Sequence, residues 1–188
     1  VCTYALSAWY YPGGHHWDHD ALGFHWLHNY GCDLLDPFTH SLRFHSTFWL
    51  ARVGLLGLLI GLGIFFISLP WPTHPQWRVV MIAIKSTGLI SMISAGLMFS
   101  PWHDASVIVA FCFLLISISG LAVLYGLNQS KSVMLRLLPA YGVGCLCFLM
   151  WITQTYLMWV PLLQKIAVAF FLYWVWHVHH THRQTQRA

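Results

Sequence analysis

Apolar positions in this chain fall in long blocks instead of alternating with polar ones. Residues 47–71, 78–99, 105–125, 139–160 and 161–177 each form a nearly unbroken hydrophobic stretch. A helix needs about 20 apolar residues to cross a hydrocarbon core of about 30 Å, and a window of about 19 identifies a span. The blocks therefore predict five membrane-spanning helices, the last near the short end of the range. Residues 2–11 are also apolar, but the helix they can form before Pro12 reaches only about 16 Å. They read as the end of a first span. The expected fold is all-α: a polytopic transmembrane bundle of about six spans, forming a single domain over residues 1–188. The sequence opens on Val1, so the first span is expected either to be cut short here or to have been trimmed. It does not read as an intact signal peptide, because no basic region precedes the apolar run.

Polar stretches and prolines punctuate these blocks. Residues 12–46 form a long polar segment rich in aromatics, and residues 72–77, 100–104 and 126–138 form turns. Pro161 is expected to break the fifth span and open the sixth. Residues 178–188 form a polar tail. If the face carrying residues 12–46 is called the outer one, the inner face holds Arg78, Lys131, Arg136, Arg183 and Arg187. The outer face holds Arg43, with Arg52 and Lys165 just inside their spans. Basic residues accumulate on the cytoplasmic side, so the N- and C-termini are both expected there. All five acidic residues, Asp18, Asp20, Asp33, Asp36 and Asp104, lie on the outer side.

Composition agrees with a membrane solvent. The chain is 58% hydrophobic and 7% charged, where a soluble domain carries about 25% charged residues. The net charge of +4 is small and dispersed, which argues against a nucleic-acid partner. Cys2, Cys112, Cys145 and Cys147 fall in apolar segments, where cysteine packs as a small hydrophobe. Cys32 alone lies in a polar loop, so no intrachain disulfide framework is expected.

Several positions inside the spans predict packing. Gly57 and Gly61 form a GxxxG after Gly54, and Thr87, Ser91 and Ser94 share a stripe beside Gly88. Small residues at this spacing let helix backbones approach closely. Lys85 lies about 10 Å into its span; it either snorkels back toward the inner face or meets a polar interior. Arg52 is placed to reach an outer aspartate and hold the outer segment on the bundle.

The outer segment carries the candidate chemistry. Residues 12–28 offer His15, His16, Asp18, His19, Asp20, His25 and His28, and the turn at 100–104 adds His103 and Asp104. Imidazole and carboxylate are ligands for divalent metals, and a site needs three or four of them to converge. The candidate metal set is His15, His16, His19, Asp18, Asp20 and His103. The alternatives are an interfacial loop whose His and Trp sit among headgroups, or a proton-handling or haem role. His40 and His45 flank the second span, and an edge pair such as His45 with His103 suits a haem or a chlorophyll-type pigment. In the tail, His177–His180 and His179–His182 are i, i+3 pairs. They read as a snorkelling helix end or a weak metal tract, on the face opposite the loop. Membrane zinc hydrolases of the ceramidase type place an HxxxH in the last helix, and none occurs here. Nor does a GxSxG.

A set of short motifs extends over nearly the whole chain. Tyr11-Pro12-Gly13-Gly14 closes the first span, and Gly23-Phe24 and Asn29-x-x-x-Asp33-Leu34 follow. Gly96-x-x-Phe99-x-Pro101-x-His103-Asp104-Ala105 joins the third and fourth spans, and Gln164-Lys165 opens the last. Together they resemble an uncharacterised six-pass prokaryotic membrane family that shares its layout with the eukaryotic DRAM, Frag and Sfk proteins. The family pattern has a Ser-Asp pair after the Asn; here it is Cys32-Asp33, which removes a hydroxyl. The insert around His15–His19 departs from the pattern too. The resemblance implies a six-helix bundle in a bacterial inner membrane, with an outer polar site formed by Asn29, Asp33 and His103, beside Asp104. It implies no established activity.

Two classes of function follow. One is a non-catalytic integral membrane protein, with Asn29, Asp33 and His103 holding the outer loop against the bundle, acting through lipid or protein contacts or as an accessory or scaffold subunit of a larger membrane complex. The other is a metal-dependent membrane enzyme, or a metal-, haem- or pigment-binding protein, using the outer His/Asp cluster.

Overall fold

The computed structural model describes residues 2–72, 74–128 and 131–185, with side chains outside 125–133 and 181–185. It contains a short helix α1 (Cys2–Trp9) and long helices α2 (Phe48–Ser68), α3 (Arg78–Gly96), α4 (His103–Asn128), α5 (Lys131–Thr153) and α6 (Val160–Thr185). Five segments are long and apolar enough to cross a membrane: Phe48–Ser68, Pro75–Phe99, His103–Leu124, Met134–Thr153 and Leu157–His180. Between 17% and 33% of each is buried within the chain, so most of their apolar surface faces outward, where lipid is the compatible solvent. The chain is an integral membrane protein. Its fold is all-α, with one small hairpin, β1 (Gly13–His15) paired antiparallel to β2 (Asp18–Leu22), in the outer segment.

Element boundaries depart from the expected blocks where local chemistry competes with hydropathy. The fifth span ends at Thr153, short of Pro161. Thr153 bonds back to the Leu149 carbonyl at 2.8 Å, and Gln154 and Tyr156 adopt φ of 55° and 53°, which turns the chain out of the helix. A single 3-10 turn, Leu157–Trp159, then leads into α6, with Pro161 in its first turn as expected. Pro139 opens nothing: it lies inside α5, which begins at Lys131. The tail is helical to Thr185, because α6 continues past the apolar block.

One apolar core runs along the bundle and includes Phe66, Met81, Ile84, Leu121, Leu137, Phe171, Trp174 and Val178. Phe65 on α2 meets the Trp174 ring edge-on at 6.0 Å, and Phe111 on α4 stacks on Phe148 of α5 at 4.4 Å. The small residues of α3 make close contacts. A Cβ on Gly88 would lie 2.5 Å from the Phe66 ring, so only glycine lets α2 and α3 approach this closely. Ser91 donates to the Ala110 carbonyl at 2.7 Å, and Ser117 of α4 donates to Ile84 at 2.9 Å. These bonds satisfy two buried hydroxyls across a helix interface. The GxxxG of α2 is a different matter. Gly54 packs tightly on Thr3 and Tyr4 of α1, but Gly57 and Gly61 have nothing within 4 Å. The expectation that this pair packs helices within the bundle is not met. Lys85 reaches the Ile67 carbonyl at 2.8 Å and lies 4.4 Å from the Trp71 ring, so it snorkels toward the inner ends of α2 and α3.

A second, smaller core lies under the outer segment: Ala8, Tyr11, Leu34, Leu35 and Ala51, with Phe24, Cys32 and Phe99 against it. The outer segment is therefore a folded cap with its own apolar floor, seated on the ends of α1, α2 and α3.

Candidate functional site: the outer cap

The cap is organised by hydrogen bonds from a few buried polar side chains. Gly13 and Gly14 adopt φ of 125° and 87°, where a side chain is strained. A Cβ there would also lie 2.3 Å from the Ala21 carbonyl and 2.7 Å from the Ser41 amide. The glycines thus let the hairpin fold back over the loop that follows it. Tyr11, just before them, is buried; its hydroxyl donates to the Gly14 carbonyl at 3.3 Å.

Asn29 is fully buried at the centre of the cap. Its Nδ2 donates to the Gly14 carbonyl at 2.9 Å and to Asp33 Oδ2 at 3.0 Å, and its Oδ1 accepts the His25 amide at 2.8 Å. Asp33 Oδ2 also accepts the Tyr30 amide at 2.8 Å. One amide side chain therefore joins the hairpin, the turn at 25–29 and the 3-10 turn Cys32–Leu35. Helix α6 grips the same turn. Lys165 Nζ donates to the Asn29 and Pro161 carbonyls at 2.5 and 3.0 Å, and Gln164 Oε1 accepts the Gly31 amide at 3.3 Å. Arg52 holds the cap from α2, but through a backbone carbonyl instead of an aspartate. Its Nε donates to Leu35 at 2.8 Å, while its guanidinium lies over the Phe48 and Phe99 rings. Burial pushes the Cys32 thiol up to about 12, so it packs as an inert group at neutral pH.

The sequence set Asn29, Asp33, His103 and Asp104 is thus divided. Asn29 and Asp33 bond directly. His103 opens α4 and pairs with its neighbour, Nδ1 lying 3.0 Å from Asp104 Oδ1. His103 reaches the cap electrostatically through Asp36, a residue the sequence reading did not select. Partial desolvation raises the Asp36 pKa, and His103 beside it opposes that rise; Asp33 adds to it, while Arg52 and His40 oppose it. The i, i+3 spacing of Asp33 and Asp36 across a turn was the signal available for it.

The histidines disperse along the hairpin. His15 is buried and faces His28 and His25, with ring centroids at 5.1 and 5.7 Å; His25 and His28 stack at 4.5 Å. Burial first, and then His28, lower the His15 pKa, so His15 is neutral at pH 7. His16, Asp18, His19 and Asp20 lie exposed, with His16 and His19 approaching His40 at 6.3 and 6.1 Å. Asp18 instead closes its own turn by accepting the Asp20 amide at 3.0 Å. Among the described residues, no three His, Cys, Asp or Glu side chains converge in a metal-binding geometry. The metal set His15, His16, His19, Asp18, Asp20 and His103 is not drawn together: His15 is buried against His25 and His28, His16, Asp18, His19 and Asp20 lie exposed on and beside the hairpin, and His103 pairs with Asp104 at the start of α4.

The haem or pigment pair is likewise split between two settings. His45 is fully buried between α1 and the start of α2. Its Nε2 lies 3.3 Å from the Ser7 carbonyl, 3.2 Å from Ser7 Oγ and 3.0 Å from Thr47 Oγ1. Its Nδ1 is buried without a hydrogen-bond partner among the described residues, and its ring meets Tyr11 edge-on at 5.1 Å. Burial lowers its pKa, so it is neutral. A macrocycle on Nδ1 needs open space that this packing does not leave. His103 sits at the surface end of α4, with 39% of its side chain exposed. In the tail, His177 is bonded by Arg136 of α5 at 2.7 Å, and His180 lies 5.6 Å from the Trp176 ring. The side chain of His182, and with it the His179–His182 pair, lies outside the described residues.

A cleft of about 270 Å³ opens on the outer face, lined by Tyr11, Asp33, Asp36, Phe38, Thr39, His40 and Leu42. His40 Nε2 lies 3.5 Å from Asp33 Oδ1 across it. No protein-family model, curated protein or solved structure matches this chain.

Proposed function

We propose that this chain is a non-catalytic integral membrane protein, an accessory or scaffold subunit of a larger membrane assembly, with the outer cap as its folded contact surface. The observation that carries the reading is the use made of Asn29. All three of its side-chain hydrogen bonds close the cap on itself, and the one carboxylate it touches, Asp33, spends Oδ2 on the same turn. A catalytic centre needs converging groups left free to act on a substrate. Here the buried Asn29 side chain, Ser7 hydroxyl and His45 Nε2 are occupied in joining elements. Large apolar side chains on the outer face, such as Leu22, Trp26 and Trp102, are exposed, which suits contact with lipid or neighbouring subunits.

The likeness to the six-pass prokaryotic family supports the same reading. It implies a bacterial inner membrane, and the basic residues of the inner face favour both termini in the cytoplasm. The test is to purify the wild-type chain and the Asp33→Ala variant gently in native lipid and to compare their assembly size and hydrogen exchange. A scaffold loses cap protection and its co-purifying partners together. An enzyme keeps its assembly and loses a bound metal and a turnover.

A further inference from the structure

The outer cleft brings two carboxylates, Asp33 and Asp36, to one opening. The Asp33 side chain is only 10% exposed, yet its Oδ1 accepts no hydrogen bond among the described residues and meets the His40 ring at 3.5 Å. Asp36 opens onto the same space, and no lysine or arginine lines it. The walls are aromatic and apolar: Tyr11, Phe38 and Leu42. Two carboxylates between aromatic rings form a recognition chemistry for an ammonium group, by charge-assisted hydrogen bonds and by attraction to ring faces. A cleft near 270 Å³ is at the small end for ligand pockets, which run from about 300 Å³; it suits a head group better than a whole lipid.

The lip of the cleft points to where that ammonium comes from. Phe38 and Leu42, two of its walls, are 61% and 84% exposed. Phe38 pairs with Phe44 across a short bridge, their rings meeting at 5.9 Å, and Phe44 meets Phe48 at 6.4 Å. Phe48 is the first residue of spanning helix α2. An apolar track therefore runs from the cleft to the outer end of a membrane span, as an acyl chain below an interfacial head group requires. Leu42 is held at φ 59°, an unfavourable conformation for leucine, by its amide bond to Thr39 at 2.8 Å. The turn thus displays an apolar side chain at the lip.

We propose that this cleft binds the ammonium head group of a membrane phospholipid, with Asp33 and Asp36 as the anionic contacts, Tyr11 and Phe38 as aromatic walls, Leu42 at its lip, and the track Phe38–Phe44–Phe48 leading its acyl chains into the bilayer. Arg52, within electrostatic reach of Asp36, is a cationic group on the same face that suits the phosphate of such a lipid. The assignment extends the scaffold reading and stands apart from it: a cap that fails to bind lipid can still be a contact surface.

The test uses the full chain in detergent, titrated with short-chain phosphatidylethanolamine, with phosphatidylglycerol and with free ethanolamine, and read by thermal unfolding. Phosphatidylethanolamine is expected to stabilise saturably, phosphatidylglycerol not to, and free ethanolamine to bind far more weakly. Asp36→Asn removes one charge-assisted contact and is expected to weaken binding at least about tenfold, with melting in the absence of lipid unchanged. Leu42→Ser is expected to weaken the lipid but not free ethanolamine. Equal binding of phosphatidylglycerol, equal binding of free ethanolamine, or an unaltered affinity in Asp36→Asn would each overturn the assignment.

Discussion

Replacing Asn29 by alanine removes three hydrogen bonds at once, and their partners show what each is worth. Two join neutral groups, the Gly14 carbonyl and the His25 amide; the third donates to the Asp33 carboxylate. Neutral bonds contribute about 1 kcal/mol net and a bond to a charged group about 2 kcal/mol, so the cap loses about 4 kcal/mol. The Gly14 carbonyl keeps the Tyr11 hydroxyl and Asp33 keeps the Tyr30 amide, whereas the His25 amide loses its side-chain partner. The cap rests on its own small core, so the loss is expected as local opening, with the five spans still folded. Hydrogen exchange is the assay. A loss of about 4 kcal/mol speeds exchange by about three orders of magnitude, at the amides of His25, Tyr30 and Gly31, with the centres of α3 and α4 unchanged. Asn29→Asp sharpens the test, because it keeps the shape and sets a second carboxylate against Asp33; it is expected to open the cap further than alanine does. Wild-type exchange in Asn29→Ala, or acceleration spread evenly over the spans, would refute the reasoning.

Other outcomes follow from the same geometry. Gly88→Ala drives a Cβ into the Phe66 ring and is expected to lower stability by about 1–3 kcal/mol. Gly57→Ala meets nothing within 4 Å and is expected to be neutral or slightly stabilising through helix propensity; thermal melts in detergent compare the two. Lys165→Met removes the tie from α6 to the Asn29 carbonyl and is expected to cost about 2 kcal/mol, read as faster exchange in the cap without loss of α6. Acidification is expected to loosen the cap as well. His45 is neutral in the fold with its pKa below the ordinary 6.5, so the unfolded cap binds more protons. The stabilising effect is whole above pH 6.5 and is lost as pH falls toward the lowered folded value. His45→Gln is expected to flatten that part of the pH profile and to leave the part due to His15.

The spans were legible because hydropathy over about 20 residues is a collective signal that single side chains do not overturn. Lys85 was legible too, since a lysine a few turns into a span has carbonyls and water to reach near the inner face. The fifth span was misjudged because its end is set by Thr153 bonding to Leu149 and by two left-handed residues, local chemistry that an apolar count overlooks. The positive φ of Gly13 and Gly14 carried no separate signal in the sequence. That Asn29 and Asp33 hold the outer loop was expected, but the partners of Asn29 15 residues upstream and, through its carbonyl, on α6 were not legible. The histidines misled by their number. They divide between a buried group at His15, His25 and His28 and exposed positions on and beside the hairpin, and no periodicity of the sequence marked 13–22 as a hairpin.

The most direct test of the central claim, that the outer cap is a structural contact surface and not a catalytic or cofactor centre, is elemental analysis with a visible absorption spectrum. Both are made on protein purified in native lipid without a His-tag. The expected result is a colourless preparation with no metal near one equivalent. Stoichiometric Zn, Cu or Fe, or a haem or pigment band, lost on changing Asp33 and His103 to alanine, would contradict it.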